Sequence, residues 1–130
     1  MTKYRILVVD DEPNLSDLVR LILEKSGHFE VRVENRSAAA LSAARDFRPN
    51  LILLDVDMPG KDGGEVSREI QADPTLRAVP ILFLTSLISR EEAGQREILR
   101  RGMRYLAKPV DPEVLIATVG RILAEQLRAA

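Results

Sequence analysis

The sequence predicts an α/β fold in which a parallel sheet is covered by helices on both faces. Short apolar segments, typical of buried strands, alternate with segments whose apolar residues follow helical spacing. The clearest strand is the apolar run at residues 51–54, which stops at Asp55 and is soon followed by the turn Pro59-Gly60. Because a continuous apolar strand is buried on both faces, this run indicates a parallel sheet between helices.

Each predicted element is marked by its periodicity and by the residues at its ends. The predicted strands, in chain order, are residues 4–9, 29–34, 51–54, 79–84 and 103–107. The predicted helices are residues 14–26, 37–47, 64–71, 90–101 and a fifth that starts at residues 111–112. Gly27 ends the first helix, while Ser37 is placed to cap the second, which ends before Pro49. Asp111 and Pro112 supply the cap and the first-turn proline of the last helix.

Five consecutive βα units leave few topologies. Right-handed crossovers allow an open doubly wound sheet or part of a barrel, and a barrel needs eight units. We therefore expect a flavodoxin-like (βα)5 sheet of five parallel strands in the order 2-1-3-4-5. The segment 29–34 alternates apolar and charged residues, which is typical of an edge strand and fits this order. At 130 residues the chain matches one domain, and we expect a single domain over 1–130 with no output domain.

Composition excludes several classes of function. The 19 basic and 20 acidic residues give a formal charge of -1, so no broad attraction to nucleic acid or anionic membranes is expected. The absence of cysteine excludes disulfides, thiolate catalysis and cysteine metal sites. No apolar segment approaches the roughly 20 residues that span a bilayer, and a strand stands where a signal peptide would lie. A cytoplasmic protein without direct nucleic-acid or membrane binding is expected.

Polar side chains follow the strands at the edge where ligands bind in open α/β sheets. They are Asp10 and Asp11 after the first strand, Asp55 after the third, Thr85 and Ser86 after the fourth, and Lys108 after the fifth. Three converging carboxylates repel one another unless a cation lies among them, and oxygen ligands suit Mg²⁺, with Mn²⁺ as an alternative. Lys108 and Thr85 are groups that stabilise phosphoryl oxygens. Asp55, nearest the middle of the sheet, is the best-placed nucleophile.

Five motifs in this order resemble a response-regulator receiver domain of bacterial two-component signalling. They are Val8-Val9-Asp10-Asp11-Glu12-Pro13, Leu54-Asp55-Val56-Asp57-Met58-Pro59-Gly60-Lys61-Asp62-Gly63, Leu84-Thr85-Ser86, Gly102, and Tyr105-Leu106-Ala107-Lys108-Pro109. The resemblance implies that Asp55 accepts a phosphoryl group from the phosphohistidine of a sensor kinase or phosphotransfer protein. It implies that Asp10, Asp11 and the backbone carbonyl of Asp57 bind Mg²⁺ beside Asp55, and that Lys108 pairs with the phosphoryl oxygens.

The resemblance also implies a switch and two contact surfaces. Thr85 moves toward the phosphoryl group and Tyr105 swings inward behind it, which alters the surface formed by the fourth helix, fifth strand and fifth helix. An effector or a second copy is expected on that surface, because the last helix has a wide apolar stripe at residues 114, 115, 116, 119, 122, 123 and 127. The kinase is expected on the first helix near Asn14, Asp17 and Leu18. Such a domain is a signalling switch rather than a turnover enzyme.

Two other functions are compatible with parts of the sequence. An apolar strand followed by Asp-x-Asp also resembles the first motif of haloacid-dehalogenase-type phosphohydrolases, but Asp10 and Asp11 precede it here and Met58 follows it. A receiver-like module that signals without phosphorylation is the second alternative. The acid at Asp57 departs from the commonest receiver pattern, and two opposed interpretations are open: it repels an anionic phosphodonor, or it orients a hydrolytic water.

Overall fold

The fold is a six-stranded sheet between two layers of helices. The structure is a computed structural model that describes residues 3–86 and 97–129. The strands are β1 (Tyr4–Val9), β2 (Phe29–Glu34), β3 (Leu51–Asp55), β4 (Ile81–Thr85), β5 (Ile98–Arg100) and β6 (Met103–Ala107). The helices are α1 (Pro13–Lys25), α2 (Ala40–Phe47), α3 (Gly63–Ala72) and α4 (Pro112–Ala129), with a 3₁₀ turn at Ser37–Ala39.

The strand order is β2-β1-β3-β4-β6-β5, and the strands from β2 to β6 in this order are parallel. The predicted doubly wound sheet of five parallel strands is therefore confirmed, with β2 at one edge as its alternating pattern indicated. Within the described residues, no helix is both long enough and apolar enough to cross a membrane.

The predicted fourth helix is wrong where the structure can test it. Residues 98–100 form β5, which pairs antiparallel with β6, whereas residues 90–96 of that prediction lie outside the described residues. The two residues of the connecting turn, Arg101 and Gly102, have φ angles of 53° and 77°. Positive φ at both central residues is typical of a tight hairpin, and such a turn directs the preceding residues into a strand.

Alternate residues of the central strands face two separate apolar layers. Leu51 and Leu53 of β3 contact the layer covered by α1 and α4, while Ile52 and Leu54 contact the layer covered by α2 and α3. All four residues are fully buried. This burial on both faces is what the unbroken apolar run predicted.

The helices begin where short polar side chains or proline favour it. Pro13 occupies the first turn of α1, the Asp62 carboxylate caps α3 by accepting from Glu65 N at 2.9 Å, and the Asp111 carboxylate accepts from Val114 N at 3.2 Å at the start of α4. The predicted cap at Ser37 is wrong. Its hydroxyl instead donates to the carbonyl of Pro59 at 3.3 Å and so contacts the loop after β3.

Most of the apolar stripe on α4 is used inside the domain. The buried members are Leu115, Val119, Ile122 and Leu123, and Val114 and Ile116 pack partly against the same core. Leu127 differs from them, since 61% of its surface is exposed. Core packing therefore explains the width of the stripe as far as Leu123.

Gly63 allows α3 to begin against the end of β3. Its N–H donates to the carbonyl of Val56 at 3.0 Å. A Cβ at this position would lie 2.5 Å from the carbonyl oxygen of Asp55 and 2.9 Å from the Cα of Val56. These neighbours are backbone atoms that cannot rotate away, so the glycine sets the distance between α3 and the carboxyl end of β3.

Replacement of Gly63 by alanine is expected to lower the free energy of unfolding by about 1–3 kcal/mol, because the added methyl group overpacks a fixed backbone contact. Gly120→Ala is the matched control, since a Cβ there meets no atom within 4 Å. That control lies inside α4 and should gain up to about 1 kcal/mol from helix propensity. Urea denaturation measures both, and a loss below about 0.5 kcal/mol for Gly63→Ala would show that the contact relaxes freely.

Candidate functional site

The carboxyl ends of the parallel strands bring the predicted acidic residues together. Asp10 directly follows β1 and Asp55 is the last residue of β3, so both lie at the switch point between neighbouring strands. One carboxylate oxygen from each of Asp10, Asp11 and Asp55 can be chosen so that all three lie within 4.8 Å of one another. Asp10 and Asp55 are 1% and 2% exposed, which makes this a largely buried acidic cluster.

Lys108, which follows β6, is the cation of the cluster. Its Nζ atom donates to Asp55 Oδ1 at 2.8 Å and lies 3.5 Å from Asp10 Oδ2. The backbone N–H of Asp57 also donates to Asp55 Oδ1, at 3.3 Å. Asp55 is thus held from two sides, by an ammonium group and by the backbone of the loop that follows it.

Burial and charge act in opposite directions on the pKa values of this cluster. Burial raises the pKa of Asp55 and of Asp10, and the contacts with Lys108 only partly offset this effect. For Lys108, burial alone would lower the pKa, but the hydrogen bond to Asp55 and the charges of both carboxylates outweigh it, so its pKa is raised. Lys108 is therefore a firmly charged ammonium beside carboxyls that hold their protons more tightly than usual.

The cluster fits a hard divalent cation. One lysine leaves the negative charge of three carboxylates in excess when they are ionised, and the donor atoms are oxygens, which Mg²⁺ prefers. Asp10 is already oriented, since Glu12 N donates to its Oδ1 at 2.9 Å. Asp11, Asp10 and Asp55 could therefore hold a metal without rearrangement of the strands.

The two predicted switch residues lie on neighbouring strands. Thr85 is 2% exposed, and its carbonyl accepts from the backbone N–H of Lys108 at 2.8 Å. Tyr105 is half-buried, and its ring stacks on Phe83 with centroids 5.2 Å apart. In the register of β4 and β6, Thr85 pairs with Ala107 and Phe83 pairs with Tyr105. The aromatic pair therefore lies two residues before the last residues of β4 and β6, which are Thr85 and Ala107.

Other predicted residues lie outside the buried cluster. Asp57 is exposed at the rim, and Asn14, Asp17 and Leu18 lie exposed along α1. Sequence reasoning missed Asn35 and Ser16, which bond to the loop that carries Asp10. Single asparagines and serines in loops are common, and no spacing distinguished these two.

A family comparison identifies the class of protein. The family model for the response regulator receiver domain matches residues 6–120. The chain is 36% identical over 121 residues to protein PilH of Pseudomonas aeruginosa, which covers 92% of this chain and 98% of PilH. It is also 36% identical over 123 residues to the DNA-binding response regulator MtrA of Mycolicibacterium smegmatis, covering 90% of this chain and 49% of MtrA.

Solved structures agree with the sequence comparisons. The crystal structure of a CheY-like response regulator receiver domain protein from Methanospirillum hungatei superimposes with a TM-score of 0.82. It is 26% identical, and the match covers 99% of this chain and 100% of that one. The chain belongs to the response regulator receiver domain family and serves in phosphorelay signal transduction. This membership decides between the two families that the Asp55 motif resembles.

Replacement of Asp10 by asparagine is expected to raise the melting temperature by a few degrees at pH 7 in the presence of a chelator. Burial raises the pKa of Asp10 above 3.8, so the folded protein binds this proton more tightly than the unfolded chain does. Stability without a cation therefore falls as the pH rises through the raised pKa, and asparagine removes that loss. Thermal denaturation from pH 3 upward measures the effect, which should shrink below pH 3.8.

Asp17→Asn is the control, because it removes the same charge from an exposed position on α1. Its effect on melting temperature should be small at every pH. A lower melting temperature for Asp10→Asn at pH 7 in chelator would mean that the contact with Lys108 outweighs the cost of burying the carboxylate.

Proposed function

We propose that Asp55 is the phosphoryl acceptor of this receiver domain. The observation that carries the proposal is the 2.8 Å contact between Lys108 Nζ and Asp55 Oδ1 inside a cluster of three carboxylates. Of the two buried carboxylates, Asp55 has the shorter contact with Lys108, 2.8 Å against 3.5 Å for Asp10, and its Oδ1 also accepts a backbone N–H from its own loop. A carboxylate at the end of a rigid, fully buried strand is well placed for a displacement that needs a fixed line of attack.

In the proposed reaction, a carboxylate oxygen of Asp55 attacks the phosphorus of a phosphohistidine. The new P–O bond forms while the P–N bond breaks, and the electron pair of that bond returns to the imidazole ring. The product is a mixed anhydride between Asp55 and phosphate. Lys108 stabilises the phosphoryl oxygens, because its ammonium group already lies within hydrogen-bond distance of the acceptor carboxylate.

The cation site completes the proposal. Asp10, Asp11, Asp55 and the backbone carbonyl of Asp57 would hold Mg²⁺ or Mn²⁺, which neutralises phosphoryl oxygens when bound. Asp10 and Asp11 hold negative charge next to the acceptor, and Asp10 also faces Lys108 at 3.5 Å. The side chain of Asp57 is exposed, and we expect it to affect the rates of phosphorylation and hydrolysis and not the choice of acceptor. The domain would thus act as a switch and not as a turnover enzyme.

The output is proposed to pass through Thr85 and Tyr105. Thr85 shares a backbone hydrogen bond with Lys108, so a group attached to Asp55 is close to both. Tyr105 stacks on Phe83 and belongs to a small apolar cluster with Ile98 and Ala107. A shift of Tyr105 would therefore change the surface of β5, β6 and α4, which would contact an effector or a second copy. The exposed start of α1 would contact the kinase or phosphotransfer protein.

Incubation with acetyl phosphate and Mg²⁺ is expected to add one phosphoryl group per molecule, measured by intact-protein mass spectrometry. The Asp55→Asn variant should show no addition, because the amide is not a nucleophile. Asp57→Asn is the control and should still be phosphorylated, since its proposed metal contact uses the backbone carbonyl. Turnover of a small phosphate ester would indicate a hydrolase, and an unmodified wild-type protein would indicate a module that works without phosphorylation.

Thr85→Ala is expected to slow phosphorylation without preventing it and to abolish the accompanying change at Tyr105, because the hydroxyl that approaches the phosphoryl group is gone. Thr85→Ser keeps the hydroxyl and should keep the change. NMR signals of the Tyr105 ring, recorded before and after acetyl phosphate, measure it. If the Tyr105 ring signals of Thr85→Ala shift as they do in the wild type, Tyr105 responds independently of Thr85, and the proposed switch is contradicted.

A further inference from the structure

The side chain of Asn35, the first residue after β2, connects the start of the loop between β1 and α1 to the first turn of α1. Its Nδ2 atom donates to the carbonyl of Asp10 at 2.7 Å and to the hydroxyl of Ser16 at 2.9 Å. The Ser16 hydroxyl in turn donates to the carbonyl of Pro13 at 3.1 Å. Both amide hydrogens are thus used, one directly on the acidic end of the loop and one through Ser16 on its helical end.

This arrangement restrains the backbone that carries the acidic residues. The N–H of Asp10 donates to the carbonyl of Glu34 at 3.1 Å. Both backbone groups of Asp10 are therefore bonded, its N–H by Glu34 and its carbonyl by the side chain of Asn35. The Asp10 carboxylate is then oriented by Glu12 N at 2.9 Å. Asp10 and Ser16 are 1% and 0% exposed, so water does not readily replace these bonds.

We propose that Asn35 is a positioning residue for the divalent cation, an inference that rests on the proposed function of the Asp10, Asp11 and Asp55 cluster. Mg²⁺ demands nearly ideal geometry at about 2.0–2.1 Å from each ligand, so small displacements of the loop weaken binding. Outer partners of metal ligands typically change metal affinity by 10- to 100-fold when they are removed. Asn35 acts through the backbone of Asp10 and does not contact the cation itself.

The opposite end of β1 provides a matched control. The Asn50 side chain accepts from Arg5 N at 2.8 Å, and its backbone N–H donates to the carbonyl of Arg5 at 2.7 Å. Asn50 therefore also bonds backbone through its side chain, as an acceptor where Asn35 is a donor, but at the end of β1 remote from the acidic cluster. Loss of this bond should affect the stability of β1 without changing the loop that carries Asp10 and Asp11.

The test is a Mg²⁺ titration of the full chain by NMR, comparing wild type, Asn35→Leu and Asn50→Leu. Asn35→Leu should bind Mg²⁺ about tenfold more weakly than wild type, and Asn50→Leu should bind within about twofold of it. Equal affinity in wild type and Asn35→Leu would overturn the positioning role. Failure of the wild type to bind Mg²⁺ would instead overturn the proposed function of the cluster.

A second readout separates positioning from general damage to the site. The rate of phosphorylation by acetyl phosphate is measured for Asn35→Leu across a range of Mg²⁺ concentrations. Saturating Mg²⁺ should restore the wild-type rate, because only the apparent affinity is altered; a rate that stays low would overturn the proposal. Should Asn35→Leu not fold, Ser16→Ala removes only the helical half of the arrangement and should show a smaller loss of affinity, whereas unchanged affinity would contradict the role.

Discussion

The excess negative charge at the carboxyl edge of the sheet is the constraint on which the rest of the structure depends. Asp10 and Asp55 are almost fully buried, and a buried charge without a partner is strongly destabilising. Lys108 supplies one positive charge within 2.8 Å of Asp55 and 3.5 Å of Asp10. The cluster remains anionic when ionised, so it could hold a divalent cation. The acidic cluster is thus a consequence of how the strands end.

The fold has to hold these like charges close together, and it does so through tightly packed backbone around β3. β3 is buried on both faces, which fixes Asp55 in the middle of the sheet. Gly63 brings the start of α3 against the carbonyl of Asp55, and Ser37 contacts the loop between them. Asp57, in the same loop, is exposed. The rigid core therefore holds in place the acidic cluster at the carboxyl edge of the sheet.

Sequence reasoning predicted the parts of the molecule that follow from long-range regularity. The apolar run before Asp55 and the charged alternation before Asn35 are sufficient to place β3 in the centre and β2 at the edge. The carboxyl-edge rule then brings Asp10 and Lys108 to Asp55 without further information. Sequence reasoning did not predict β5, because that strand depends on a turn in which Arg101 adopts a positive φ, which arginine rarely does. It also could not find the Asn35 amide, because the partners of this side chain are backbone atoms that any residue carries.

The same geometry connects the charge of the site to its outer surface. Lys108 bonds Asp55 through its side chain and Thr85 through its backbone, so the end of β6 is attached to the ends of both β3 and β4. Three residues before Lys108, Tyr105 lies on Phe83 and is paired with Ile98 of β5. A phosphoryl group on Asp55 would give Lys108 new oxygen partners and weaken its present contact with the carboxylate. Because β6 lies next to β5, a small displacement at Lys108 would reach the edge of the sheet through a single strand, and no long relay of side chains would be needed.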